Sequence, residues 1–267
     1  TVMELKKPLN FIKNLPIKLN RFYDKKSKKN LIINNKSKNQ KKFNPVTNLD
    51  KSFEKFIRSL IIKSFPKDGI IGEEYDNKHS SNDFKWSIDP IDGTKAFIIG
   101  VPTWSNLIGL MKNESSIIGL ANFPELNSYY FNDKKKSYLS KNHKKIIIKS
   151  LNNSNLKKVK IIGNFHEQIN NKDNIRLIKK MRKSIRLVSI DALSYCLLAE
   201  GKIDAVIETS LKPFDVIPLI PIVRNAGGCI TNWKNGPAEK GGNILATSNR
   251  KLHKKILRLM SSLKKND

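Results

Sequence analysis

The sequence predicts a mixed protein in two parts, an N-terminal α+β region over residues 1–150 and a C-terminal α/β region over residues 151–267. Three observations carry this. Short apolar runs at Trp104–Met111, Ile117–Asn122, Ser128–Phe131 and Ser137–Leu139 are divided by turns such as N-E-S-S and N-D-K-K, the pattern of an antiparallel meander. From Val159 onward, strand and helix patterns alternate, as in an α/β domain with a central sheet. A chain of 267 residues is also long enough to bury an ample core, as one large or two medium domains.

Residues 5–34 carry a loose helical pattern, with Leu9, Phe11, Ile12, Leu15, Ile17, Leu19 and Phe22 among lysines. Pro16 interrupts it, so a broken helix is expected. Residues 35–42 are basic and polar and read as a solvated, mobile connection. Between Pro45 and Pro66, Phe53, Phe56, Ile57, Leu60, Ile61 and Phe65 recur at helical spacing. Thr47-Asn48-Leu49-Asp50 is a capping-box pattern, so capping alone accounts for Asp50. Ile70–Glu74 reads as a short buried strand ending in two acids, and a charge pair at a strand end is ordinarily just solvated.

Trp86-Ser87-Ile88 reads as the end of a buried strand, which Pro90 should stop by removing a ladder donor. Asp89 and Asp92 flank Pro90-Ile91, and Gly93-Thr94 open a helical turn through Phe97. D-P-I-D-G-T can be a plain turn, since Asp, Pro and Gly favour turns for local reasons. It also places two hard carboxylates beside free backbone N–H groups, an arrangement suited to a divalent metal bridging protein and phosphate. Trp86, Phe97 and Trp104 read as core or pocket-wall residues.

S-L-N-N-S-N-L-K-K, between Ile148 and Val159, is the polar boundary between the two parts. The C-terminal part then reads strand Val159–Gly163, helix near Lys172–Lys183, strand Ile185–Val188, helix Asp191–Glu200 and strand Ile203–Glu208. A helix from Asp215, strands Cys229–Trp233 and Ile244–Ala246, and a last helix through Leu259 complete it. Gly201 and Gly227-Gly228 suit helix C-terminal stops. Pro218 falls in the first turn of the Asp215 helix, while Pro221 should kink it. N-capping explains Asp215 and Asp191 locally, and Glu208 reads as a solvated strand end.

Composition narrows the function. The 51 Lys and Arg against 23 Asp and Glu leave a formal net charge of +28, which raises nucleic acid or an anionic membrane as partner. Lys is spread from Lys6 to Lys265, however, and no nucleic-acid-binding module is present, so attraction of a phosphate substrate is the better use of the charge. Cys196 and Cys229 alone do not make a disulfide framework, and a reducing, cytoplasmic setting follows. No apolar run reaches the length of a membrane span, and the first residues lack a signal-peptide apolar core. The four histidines show no zinc-ligand spacing, and no G-x-S-x-G, P-loop or G-x-G-x-x-G occurs.

G-E-E, D-P-I-D-G-T-K-A-F and P-F-D-V before A-G-G together resemble the inositol monophosphatase superfamily of metal-dependent, lithium-sensitive phosphatases, from about Phe43 to about Leu259. D-G-T-K-A-F-x-x-G-x-P-x-W-x-x-L-I-G-L is most similar to its histidinol-phosphatase branch. The resemblance implies a layered α-β-α-β-α sandwich, a homodimer and two Mg²⁺ ions. It implies that Glu73, Asp89 and the Ile91 carbonyl hold one ion, and Asp89, Asp92 and Asp215 the other. By the same resemblance, V-T-N-L-D makes Asp50 the partner of Thr94 in orienting the attacking water, and Gly93 and Thr94 N–H groups hold phosphate oxygens.

Asp191 and Glu208, if they line the pocket, set acids where an inositol phosphate offers hydroxyls and histidinol phosphate an ammonium and an imidazole. The S-x-D spacing at Ser189 and Asp191 also resembles the histidinol-phosphatase branch. Hydrolysis of L-histidinol phosphate is therefore the expected activity. An inositol-1-phosphatase or broad sugar or nucleotide phosphatase is the alternative, and a basic nucleic-acid-binding protein on this scaffold is an alternative of another class.

Overall fold

The computed structural model describes residues 4–27, 32–35, 45–163 and 185–263. Helix α1 (Lys6–Lys26) runs through Pro16 without the expected break. An interior proline costs a helix roughly 3 kcal/mol. Each buried Leu or Ile contributes roughly 1.5–3 kcal/mol, so burying Ile12, Leu15 and Leu19 on one face outweighs Pro16, which is itself buried there. Two short strands that the sequence pattern did not reveal, β1 (Ile33–Asn35) and β2 (Pro45–Thr47), pair antiparallel. Most of the expected mobile connection, residues 36–42, lies outside the described residues. Helix α2 (Asn48–Ser64) starts at the capping box and buries Phe53, Ile57 and Ile61.

Seven strands follow in chain order across one sheet: β3 (Gly69–Gly72), β4 (Phe84–Asp92), β5 (Ser105–Lys112), β6 (Ser115–Phe123), β7 (Ser128–Asn132), β8 (Ser137–Lys141) and β9 (Lys144–Ile148). Only β3 and β4 run parallel; the rest is the expected meander, lengthened by β9. A second sheet contains β10 (Lys160–Gly163), β11 (Ile185–Val188), β12 (Ala205–Leu211), β13 (Cys229–Asn232) and β14 (Gly242–Thr247), in the order β11-β10-β12-β14-β13. Short helix α3 (Thr94–Ile99) leaves β4, and α4 (Ala192–Ala199), α5 (Pro213–Val216), α6 (Leu219–Asn225) and α7 (Arg250–Leu263) belong to the C-terminal half. The helix expected near Lys172–Lys183 lies outside the described residues.

Strand alternation sends neighbouring residues into different layers. Ile108 and Leu110 of β5 pack with Ile12, Phe53 and Ile57 of the first two helices, while Leu107 faces the other way. On that inner side Leu107, Ala121 and Phe123 meet Tyr195, Leu219 and Val223, which in turn meet Val206, Ile230 and Ile244 of the second sheet. Ala205, Ile207 and Leu245 face outward onto Leu252 and Ile256 of α7. The layers are thus helix, sheet, helix, sheet, helix.

Two further prolines act differently from expectation. Pro90 does not stop β4, which continues to Asp92. Asp89 pairs with Leu107 and Asp92 with Ser105, so two residues oppose one and the strand bulges. A bulge tolerates the missing donor. Pro221 does not kink a helix from Asp215; the helix instead divides at Ile217-Pro218 into α5 and α6, leaving Pro221 in the first turn of α6, where no donor is needed. The junction lies directly on the first sheet. A Cβ on Gly119 would stand 1.7 Å from the Pro218 carbonyl oxygen, and one on Gly109 2.9 Å from Ile217.

Candidate active site

Backbone register assembles the acids. In the parallel β3–β4 pair Gly72 stands beside Ile88, so Glu73, just past the end of β3, comes beside Asp89 of β4. Side chains three apart on a regular strand face opposite sides; the extra residue at the bulge brings Asp92 to the side of Asp89. Gly93 then turns the chain with φ +79°, a left-handed conformation suited to glycine, and α3 begins. From the other half, Asp215 is the third residue of α5 rather than its N-cap, and its Oδ2 accepts the Lys212 N–H at 2.7 Å.

A cavity of about 160 Å³ gathers Glu73, Asp89, Ile91, Asp92, Gly93 and Thr94 from one half, with Asp191, Glu208 and Asp215 from the other. Cavities of about 850 and 750 Å³ elsewhere are larger. Converging carboxylates, not size, single out the small one. Among the described residues no histidine lines it. Asp92 Oδ2 accepts the Ala192 N–H at 2.8 Å, tying the start of α4 to the D-P-I-D segment. Thr94 Oγ1 donates to the Ile91 carbonyl at 3.1 Å.

Asp50 is fully buried and does not line this cavity. Its Oδ2 accepts the Thr47 N–H at 2.8 Å and the Thr47 hydroxyl at 2.5 Å, completing the capping box. Helix α3, which starts at Thr94, packs against β2 just before Asp50.

Burial and mutual repulsion shift the acids of the cavity together. Burial first, then neighbouring Glu73, Asp92 and Asp215, push the Asp89 carboxyl well above its usual range. Burial, then Asp191 and Asp215, do the same to Asp92. Burial pushes Asp215 up to about 7, with Glu73 adding to it and the Lys212 N–H opposing. The Asp89 carboxyl lies close enough to those of Glu73 and Asp215 for their protonation to be linked. As the side chains stand, no three His, Cys, Asp or Glu groups among the described residues form a ready-made ion cage. Acids in this contact must nevertheless share protons or a cation. Their all-oxygen donor set fits a hard divalent ion such as Mg²⁺.

Asp191 and Glu208 are not the simple cap and solvated end that local rules suggest. Asp191 precedes α4 with φ +52° and ψ −140°, and its side chain makes no capping bond. Its backbone is strained for a residue with a side chain. A Cβ on Gly93 would lie 2.7 Å from Asp191 Oδ2, so the acid rests against that glycine. Burial raises the Asp191 pKa and Lys95 opposes it. Glu208 lies inside β12 and is only 3% exposed. Its oxygens accept hydrogen bonds from the Ser189 hydroxyl and, at 2.9 Å, from the Tyr195 hydroxyl. Burial pushes it up to about 7 against those two bonds. Sequence reasoning gave no role to Tyr195, which stands in no motif, or to Lys95, the lysine of D-G-T-K-A-F; only the fold brings them to these acids.

The sequence pattern of the inositol monophosphatase family matches residues 12–265. A chloroplastic bifunctional phosphatase of Arabidopsis thaliana is 32% identical over 214 residues, which span 76% of this chain and 60% of that protein. The chain thus spans less than two thirds of that relative. A histidinol-phosphatase of Chlorobaculum parvum is 29% identical over 215 residues, 80% of this chain and 82% of that one. Among solved structures, an inositol monophosphatase of Zymomonas mobilis superposes with a TM-score of 0.79 at 24% identity, over 96% of this chain and 98% of that one. That likeness speaks for the fold alone.

Proposed function

The chain belongs to the inositol monophosphatase family of phosphatases, and on that footing we propose that it is a Mg²⁺-dependent histidinol-phosphatase. One observation carries the substrate: Asp191 and Glu208 line the same cavity as Glu73, Asp89, Asp92 and Asp215. A chain of net charge +28 has set two further acids beside the place where a phosphate would bind. A carboxylate there gains a charge-assisted bond from an ammonium group and less from a neutral hydroxyl.

In this reading Glu73, Asp89 and the Ile91 carbonyl would hold one ion, and Asp89, Asp92 and Asp215 the second. Bound there, Mg²⁺ would supply Lewis-acid stabilisation of charge on the phosphoryl group and activation of water. The Thr94 hydroxyl gives its proton to Ile91, so its lone pairs are left to accept one from a water. Asp50, which follows β2 where α3 packs, would complete the orientation of that water for in-line attack. The Gly93 and Thr94 N–H groups would take phosphate oxygens. The proposal extends to a homodimer, on the family likeness, and to a reducing cytoplasmic setting, on the two free thiols Cys196 and Cys229. Among the described residues no helix is long and apolar enough to cross a membrane.

A second reading, an inositol-1-phosphatase, is favoured by one observation. Both Glu208 oxygens already accept hydroxyl hydrogen bonds, and burial weakens the acidity of Glu208 and Asp191 alike, which lessens the charge available to an ammonium group. Phosphate release from a panel of esters, with Mg²⁺ and with excess EDTA, tests the proposal. Hydrolysis led by L-histidinol phosphate and lost on chelation is expected, with lithium inhibition. Full hydrolysis after confirmed metal removal overturns the metal assignment, and no hydrolysis at all would favour the nucleic-acid-binding alternative.

A further inference from the structure

The bulge that brings Asp89 and Asp92 to one side is held from behind by a row of amides, two of them buried. Pro90 and Ile91 stand opposite a single residue of β5, and that residue is Asn106. Asn106 Nδ2 donates to the Pro90 carbonyl at 2.7 Å. Asn122 Nδ2, on β6, donates to Asn106 Oδ1 at 2.9 Å and to Asn20 Oδ1 of α1 at 2.9 Å. Asn106 and Asn122 are fully buried.

Asparagine is a poor strand residue and expensive to bury. Pairing makes Asn106 tolerable and gives it one definite geometry, while Asn122 Oδ1 is left without a partner among the described residues. The carbonyl it fixes belongs to the peptide between the two acids of the D-P-I-D segment. We propose that Asn106, backed by Asn122 and Asn20, is a positioning residue for the cation site: it sets the separation of Asp89 and Asp92 and thereby the affinity for the divalent ion. The proposal rests on the reading of these carboxylates as a Mg²⁺ site.

The same sheet supplies a control. Asn132 of β7 is also fully buried; it accepts the Gly119 N–H at 2.7 Å and donates to the Ile117 carbonyl at 3.0 Å, but bonds to nothing in D-P-I-D. Mg²⁺ binding to EDTA-stripped protein is measured by calorimetry without substrate, and thermal melts are recorded beside it. Asn106→Val should raise the Kd for Mg²⁺ roughly tenfold, the lower end of the loss seen for direct partners of metal ligands, because Asn106 holds the peptide between the two acids. Asn132→Val should lower Tm while leaving Kd within about twofold, as befits a residue with no bond to the D-P-I-D segment. If Asn106→Val does not fold, Asn122→Leu removes only the backing and should raise Kd by a smaller factor. An unchanged Kd in the folded variant, or equal weakening by Asn132→Val, overturns the proposal. Unmutated protein that binds no Mg²⁺ overturns the cation site itself, and this inference with it.

Discussion

At Asp50 a capping bond and a proposed catalytic role fall on the same side chain, and one substitution separates them. Asp50→Asn keeps an oxygen for the Thr47 N–H, so stability should fall by no more than about 1 kcal/mol. Turnover should fall roughly 10²-fold or more if the carboxylate helps activate water. A thermal melt and kcat on the same preparation decide it, and a folded, nearly fully active variant leaves Asp50 a cap only. Glu73→Gln should instead weaken turnover and raise the Mg²⁺ needed for it, because the side chain meets Asp89 at the cavity. The buried acids also tie stability to pH. Asp215 and Glu208 are raised from 3.8 and 4.5 to about 7, so folded metal-free protein keeps protons that the unfolded chain has released. Their contribution is full below pH about 4 and is lost as pH rises through about 7. The gain in Tm on adding Mg²⁺ should therefore grow between pH about 5 and about 8; a gain independent of pH contradicts this.

At the scale of elements, the glycines under the α5–α6 junction fix where Asp215 stands. Gly119→Ala places a methyl 1.7 Å from the Pro218 carbonyl oxygen, so the junction must move. A loss of roughly 1–3 kcal/mol in urea unfolding is expected, the usual range for overpacking, with a higher Mg²⁺ requirement because Asp215 moves too. Unchanged stability and metal requirement would show that the junction does not position the acid. Helix α2 and the meander β5–β8 were legible because their apolar spacing repeats over many residues. Pro16, Pro90 and Pro221 misled, each because a local rule lost to its setting: a buried helix stripe, a bulge, and a helix that divides earlier. Strands β1 and β2 are three residues each, too short to show a period, and β9 has its apolar residues bunched at Ile146–Ile148.

At the scale of the molecule, two sheets meet through one shared layer of helices, and the acids sit where β4, α4, β12 and α5 converge. Glu73, Asp89, Asp92 and Asp215 could be picked out in sequence because each stands in a short motif. Their contact, and the grip of Ser189 and Tyr195 on Glu208, depend on strand register and helix placement that no local pattern encodes. Net charge +28 attracts anions without distinguishing them, so under the proposed function the choice among phosphate esters rests with the acids beside the cavity. The most direct test compares kcat/KM for L-histidinol phosphate and myo-inositol 1-phosphate at saturating Mg²⁺, in the unmutated protein and in Asp191→Asn. The account predicts a higher value for L-histidinol phosphate and a narrower gap in the variant; equal or reversed preference in the unmutated protein would contradict it and favour an inositol monophosphatase.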